Sequence, residues 1–285
     1  MKKLKNFYKI LESKISKIKT KKFQGAIEPL GIWGNGAPTG GLISQVAAPI
    51  NRAGQWKIIA GLPGTGKSSL LRQEYDYLVS LYGVEGVAVL AIGERPEEII
   101  DIWSGVYKLY SITSEDGLSS ELHHKLCATV YAIAVDSKIK AVIIDSLSGM
   151  ARIIKTHPSL DRDGMDAGGM KSSVPEYIEH YIIRALKTRP LQDGYTEDRV
   201  IVSSLLYGEE NRSNKTLFES LRAYCDSEVI LDYNKARKGL FPAVDLGRSF
   251  SRKENKFLGE EALSLLKNLR ELGEENFEEL IRVLS

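Results

Sequence analysis

The stretch Trp56 to Leu71, W-K-I-I-A-G-L-P-G-T-G-K-S-S-L-L, constrains this chain more than any other. Within it Gly61-Leu62-Pro63-Gly64-Thr65-Gly66-Lys67-Ser68 satisfies G-x-x-x-x-G-K-[ST] at every defined position. The apolar run Ile58 to Ala60 leads in and suits a buried strand, and Ser69 to Leu78 carries apolar residues at helical spacing. A loop of this kind turns its backbone N–H groups inward onto an anion, which glycine permits and a Cβ obstructs. The helix after it adds its own first N–H groups and the positive end of its dipole. Lys67 is then placed for the β- and γ-phosphates of a nucleotide, and the Ser68 hydroxyl for a Mg2+ ion. The segment predicts a nucleoside triphosphate site.

A chain of 285 residues has enough length to bury a full core around such a site. Its 43% hydrophobic and 27% charged residues are typical of a soluble globular protein. No apolar run approaches a membrane span, so no membrane insertion is expected. The basic start, Met1-Lys2-Lys3-Leu4-Lys5, is not followed by the apolar region of a secretory signal. Cys127 and Cys225 are too few and too far apart for a disulfide framework or a zinc site, which suits a reducing, cytoplasmic location.

Charge is distributed unevenly. Residues 1–22 carry nine lysines against the single acid Glu12, while Leu4, Phe7, Leu11, Ile15 and Ile18 recur at steps of three and four. The pattern predicts a basic amphipathic helix. Two roles fit it equally: a docking helix with a solvated lysine face, or an electrostatic contact to nucleic acid. A membrane-surface helix fits less well, because the apolar side is modest. Gly25 to Gly41 is rich in Gly and Pro and reads as a linker. Residues 1–45 are therefore expected to form a basic arm, and residues 46–285 the main domain.

Apolar, β-branched runs at Lys57–Ala60, Val87–Ile92, Ala141–Ile144, Val200–Leu206 and Ser227–Leu231 predict strands. Helical patterns separate them at Ser69–Tyr82, Pro96–Tyr110, Ser119–Asp136 and Pro175–Thr188. Strands alternating with crossover helices imply an α/β fold with a parallel sheet covered on both faces. The acid-rich, helical stretch Gly259 to Ser285 is expected to pack on that domain.

Triphosphate hydrolysis needs a metal holder and a group that orients or activates water. Asp145 ends the apolar run Ala141 to Ile144, where a carboxylate would lie beside the loop and hold Mg2+. Glu94 follows the second predicted strand, and in a parallel sheet the carboxyl ends of the strands line the ligand crevice. Local spacing leaves Glu94 two readings: a base for the attacking water, or the charged start of a helix that also carries Glu97 and Glu98.

Three further segments carry a resemblance. They are G-E-R-P-E-E at 93–98, D-S-L-S-G-M-A-R at 145–152, and Phe241-Pro242-Ala243-Val244-Asp245 followed by Ser249-Phe250-Ser251-Arg252-Lys253-Glu254. Together they resemble the ATPase domain of transcription termination factor Rho, from about Ala48 to Glu254, with Pro49-Ile50 and Gly54-Gln55 matching the approach to the loop. The rotary and secretion ATPases share G-E-R and the P-A-[IV]-D…S-R element but usually lack the R-P-E-E continuation.

The resemblance implies a RecA-like P-loop fold, ATP as the nucleotide and a hexameric ring. Glu94 matches the glutamate that activates water, and Arg95 beside it an arginine of the subunit interface. Phe241 matches an aromatic that stacks on adenine, Arg252 an arginine finger donated to the neighbouring subunit, and Arg152 another arginine of the subunit interface. Two loops matching those that grip RNA in the ring's pore are Asp166 to Lys171 and Gly208 to Lys215, which makes Lys171, Arg212 and Lys215 the RNA-contact candidates. Single-stranded RNA and RNA polymerase are the partners this family suggests.

The chain also departs from the pattern. Gly64 stands where a second lysine is common, and Gly149 and Gly239 stand where arginine is common. No stretch matches the family's N-terminal RNA-binding domain. The leading expectation is a ring ATPase that moves on single-stranded RNA, as in termination or RNA remodelling. The alternatives are a rotary or secretion-type motor gripping a protein, and an assembly module that uses ATP as a switch.

Overall fold

The computed structural model describes residues 53–113, 117, 119–156, 173–191, 195–208 and 211–252, with single positions at 44, 47, 48, 254, 260, 263, 264, 267, 268, 270 and 271. The basic arm and linker, the first RNA-contact loop with Lys171, and most of the C-terminal stretch lie outside the described residues.

Nine strands alternate with helices among the described residues: β1 (Trp56–Gly61), α1 (Lys67–Tyr82), β2 (Val87–Ile92), α2 (Pro96–Trp103), β3 (Lys108–Ile112), α3 (Ser119–Val135), β4 (Ala141–Asp145) and α4 (Leu147–Lys155) form the first half. A helix then runs from α5 (Ser173–Tyr177) through a π-helical turn, Ile178–Ile183, into α6 (Arg184–Lys187). The hairpin β5 (Thr188–Pro190) and β6 (Thr196–Asp198) follows, then β7 (Val200–Leu206), α7 (Arg212–Arg222), β8 (Ser227–Leu231), α8 (Tyr233–Arg237) and β9 (Val244–Ser251).

Seven strands form the main sheet in the order β3-β2-β4-β7-β1-β8-β9. Every pair is parallel except β8 with β9. Within β2 the side chains alternate between two cores: Val87, Val89 and Ala91 face α1 and α2, whereas Ala88, Leu90 and Ile92 face α3, α4 and the helix from Ser173. Burial on both faces explains why the central strands read as unbroken apolar runs. The mostly parallel sheet flanked by helices is the expected RecA-like architecture.

Two elements differ from expectation. The helix predicted over Pro96–Tyr110 stops at Trp103, and Lys108–Ile112 is the edge strand β3, paired parallel with Ala88–Ile92. Ser104 caps the helix and Gly105, at φ +75°, takes the left-handed C′ position that ends it. The glycine was the available signal. Strand β9 had no periodic signature because it lies antiparallel on the edge, with exposed residues at Gly247 and Arg248 and a register shift opposite Glu228–Ile230.

Two buried cations stabilise the frame away from the carboxyl ends of the strands. Lys57 of β1 donates to Glu74 of α1 at 3.0 Å, with both side chains fully buried. Arg199, also fully buried, donates to six carbonyls: Ile139 (2.9 Å), Leu186 (3.1 Å), Thr188 (2.8 Å), Ile133 (3.1 Å), Ala134 (3.0 Å) and Asp136 (2.9 Å). One guanidinium thus satisfies the end of α3, the end of α6 and the start of β5.

Candidate nucleotide site

Strand β1 ends at Gly61, and α1 begins at Lys67 with Gly66 as its N-cap. Gly66 has φ +86°, a backbone conformation in which a side chain is strained. A Cβ there would also sit 3.2 Å from the Phe241 ring. The loop is braced from inside, because the Thr65 hydroxyl and the Lys67 ammonium each donate to the Leu62 carbonyl at 2.8 Å.

A cavity of about 450 Å3 opens at the carboxyl ends of β1, β2, β4 and β7. Pro63, Gly64, Gly66 and Lys67 to Ser69 line one side, and Glu94, Asp145 and Arg152 line the other. Four elements distant in sequence therefore converge on one space. Burial brings the Lys67 ammonium down to about 8, against Asp145 and then Glu94, which favour its charged form. Burial pushes the Glu94 carboxyl up to about 7; Asp145 and the hydrogen-bonded Glu98 add to the rise, and Arg152 opposes it. Asp145, 2% exposed, is raised by burial, while hydrogen bonds from Ser204 and Ser68 are the largest opposing influences.

Ser204 and Trp103 are members of the site that the sequence reading missed. The Ser204 hydroxyl on β7 donates to Asp145 Oδ1 at 2.7 Å and fixes the carboxylate. A polar pair, Ser203-Ser204, inside an otherwise apolar strand was the signal available. Trp103, at the end of α2, is 1% exposed and forms an apolar wall of the cavity with Ile99 and Ile102. The indole touches Asp145 only because α2 folds back over the sheet, which no local pattern encodes.

The other predicted residues fall in distinct places. Phe241 lies against Gly66 and is 51% exposed, so one face of the ring is open beside the loop rather than buried in the core. Arg95 is exposed at the N-cap of α2 and does not line the cavity. Gly208 packs against Leu62 of the loop. The segment expected as a loop from Gly208 to Lys215 is helical from Arg212 onward, because the Asn211 side chain accepts from Asn214 N at 3.0 Å and caps α7. Arg212 and Lys215 thus occupy the first turn of α7.

Arg252 stands apart from the cavity. Ser251 pairs with Ser227, the first residue of β8, so Arg252 lies at the amino ends of the parallel strands, opposite the loop. Its guanidinium donates to Arg222 O at 2.7 Å and Ala223 O at 2.9 Å, carbonyls at the end of α7.

The Ser68 hydroxyl and the Asp145 carboxylate supply hard oxygen donors to the cavity, the donor type that Mg2+ takes. The donor set fits that ion. Among the described residues no helix is long and apolar enough to cross a membrane.

No protein-family model matches the chain. Transcription termination factor Rho of Borreliella burgdorferi is 28% identical over 230 residues, which is 79% of this chain and 43% of that protein. Transcription termination factor Rho 1 of Ehrlichia chaffeensis is 28% identical over 236 residues, 81% of this chain and 54% of its own length. The chain spans about half the length of these curated relatives. A prototypical ATPase from the type III secretion system of pathogenic bacteria has the same fold, with a TM-score of 0.63 at 20% identity over 88% of this chain and 70% of that one. The chain is therefore a RecA-like P-loop domain, similar in sequence to transcription termination factors named Rho and similar in fold to a secretion ATPase.

Proposed function

We propose that this protein hydrolyses ATP as a ring of identical subunits and moves along single-stranded RNA. The observation that carries the hydrolytic part is the convergence of Lys67, Ser68, Glu94 and Asp145 on one 450 Å3 cavity. In this reading the loop N–H groups and Lys67 hold the β- and γ-phosphates. Ser68 and Asp145 hold Mg2+, which when bound neutralises charge on the phosphates. Glu94 takes the proton of a water attacking the γ-phosphorus, and the bond to the β–γ bridging oxygen breaks to release ADP. Half-burial favours this assignment, since a carboxylate titrating near neutral pH is a better base than an ordinary exposed one. Phe241 offers a flat apolar face for the adenine ring.

The ring is inferred from the resemblance that makes Arg252 an arginine finger. Arg252 is turned away from its own loop, as donation to a neighbour's γ-phosphate requires. RNA is the favoured track because the sequence relatives are termination factors, and Arg212 and Lys215 open α7 four and seven residues after Gly208, which touches the P-loop. RNA polymerase is a further partner under this reading.

ATP turnover measured with and without homopolymeric RNA, together with the native mass, tests the proposal. Stimulation by RNA in a ring-sized particle is the expected result. Turnover in a ring that neither binds nor responds to RNA transfers the reading to a motor acting on a protein. Absence of turnover leaves an ATP-switched assembly module.

A further inference from the structure

Beside the cavity the start of α4 lies unusually close to the end of β2. A Cβ on Gly149 would fall 2.0 Å from the Ile92 carbonyl oxygen, a distance no side chain tolerates. A Cβ on Gly93 would fall 3.1 Å from Gly149 Cα and 3.1 Å from Arg152 Nη2. Gly93 has φ +78°, so glycine suits its backbone as well as its surroundings. Two glycines therefore let the first turn of α4 rest directly on the chain leading into Glu94. The Ser146 hydroxyl accepts from Gly149 N at 3.2 Å and Ser148 accepts from Leu206 N at 2.9 Å, so the same turn is fixed to β7 on its other side.

Arg152 follows Gly149 by three residues and so projects from the same face of the helix, one turn on. This places its guanidinium over Gly93, in the lining of the cavity that Lys67 and Asp145 also line. Among the described residues Arg152 forms no hydrogen bond or ion pair at contact distance, although Glu94 feels its charge. Lys67 and Arg152 are the cations of the described lining. Lys67 opens α1 behind the loop, whereas Arg152 comes from α4 on a separate stretch of chain. Arg152 stands beside Glu94, the side from which water reaches the γ-phosphorus.

We infer that Arg152 is the residue by which each subunit distinguishes a nucleoside triphosphate from a diphosphate in its own site. This role in cis replaces the interface role that resemblance assigns to Arg152, and it rests on the reading of the cavity as an ATP site with Glu94 as base. A guanidinium makes charge-assisted, two-pronged hydrogen bonds to phosphate oxygens. A diphosphate ends at the β-phosphate and leaves Arg152 unengaged, whereas the γ-phosphate of a triphosphate reaches it. Arg152, added to Lys67, thus reads the length of the phosphate chain.

The test is equilibrium binding of ADP and of the non-hydrolysable triphosphate AMP-PNP, each with Mg2+, to the full chain and to Arg152→Gln, Arg152→Lys and Lys67→Ala. Arg152 is exposed, so its substitution spares the core. Arg152→Gln is expected to weaken AMP-PNP by about tenfold to a hundredfold, the loss of one or two charge-assisted hydrogen bonds, and ADP by less than about twofold. Arg152→Lys recovers part of the triphosphate preference, as a point charge would. Equal loss for both nucleotides, or no loss for either, overturns the inference. Recovery of turnover on mixing Arg152→Gln with Glu94→Gln subunits overturns it too, because only an arginine acting in trans produces that result. If Lys67→Ala weakens neither nucleotide, the cavity is not the nucleotide site and the reading beneath the inference fails instead.

Discussion

The two perturbed groups facing each other across the cavity predict a bell-shaped pH profile for kcat/KM. Glu94 acts as a base only when deprotonated. Its carboxyl is raised to about 7, so activity is lost as pH falls through that value. Lys67 acts as a cation only when protonated. Its ammonium is lowered to about 8, so activity is lost as pH rises through that value. At pH 7.5 about three-quarters of each group is in its working form, so roughly 0.6 of the molecules are competent. At pH 6 or pH 9 one group is about nine-tenths in the wrong form, and roughly 0.1 of the molecules are competent. The free enzyme should therefore lose about sixfold in kcat/KM on either side of an optimum near pH 7.5.

The profile of kcat should differ. With the polyphosphate bound, an anion adjoins Lys67 and raises its pKa, so the alkaline limb moves up and the acid limb remains. Initial rates at low and saturating ATP across pH 5.5–9.5, with Mg2+ in excess, separate the two profiles. A flat kcat/KM refutes the assignment of these groups. So does an acid limb that survives unchanged in Glu94→Gln, because that limb would then belong to the substrate or to another residue.

Four further outcomes follow from the same geometry. Lys67→Ala should abolish turnover measured by phosphate release, since the loop then lacks its cation; near-normal rates would remove the P-loop assignment. Arg252→Ala should lower turnover by roughly a thousandfold while nucleotide affinity is nearly kept, and mixing with Glu94→Gln subunits should restore part of it; absence of recovery in subunits shown to mix would count against donation in trans. Arg199→Met removes the donor from six carbonyls, of which those of Ile139, Leu186 and Ile133 are buried. The loss should be about 3–5 kcal/mol, read as a fall of about 1–2 M in the urea midpoint, and a change below about 1 kcal/mol would show that water replaces the guanidinium. Deleting residues 1–22 should weaken RNA binding and flatten its dependence on salt, because fewer counterions are released; an unchanged slope would assign those lysines to solvent.

Local sequence determined the elements whose reasons are local. The P-loop is legible because Gly66 at φ +86° and Lys67 behind it are demanded by a phosphate and by little else. Strands β2 and β4 are legible because burial on both faces leaves unbroken apolar runs, and Asp145 marks the end of one of them. Strand β3 was not, since an edge strand with one exposed face carries a short, mixed pattern that a preceding helix absorbs. Only the tertiary structure decided which charges are buried and what they meet. Lys57 sits in an apolar run, and its partner Glu74 is reached only when α1 folds back over β1. Arg199 looks like one more surface charge until the ends of α3 and α6 close over it. Arg252 looks like part of a solvated charge run until the end of α7 meets its guanidinium. The position of Arg152 depends on a carbonyl of β2 pressing against Gly149, a contact between segments more than fifty residues apart. Such placements arise from packing between distant segments, and packing has no period that a single stretch of sequence can display.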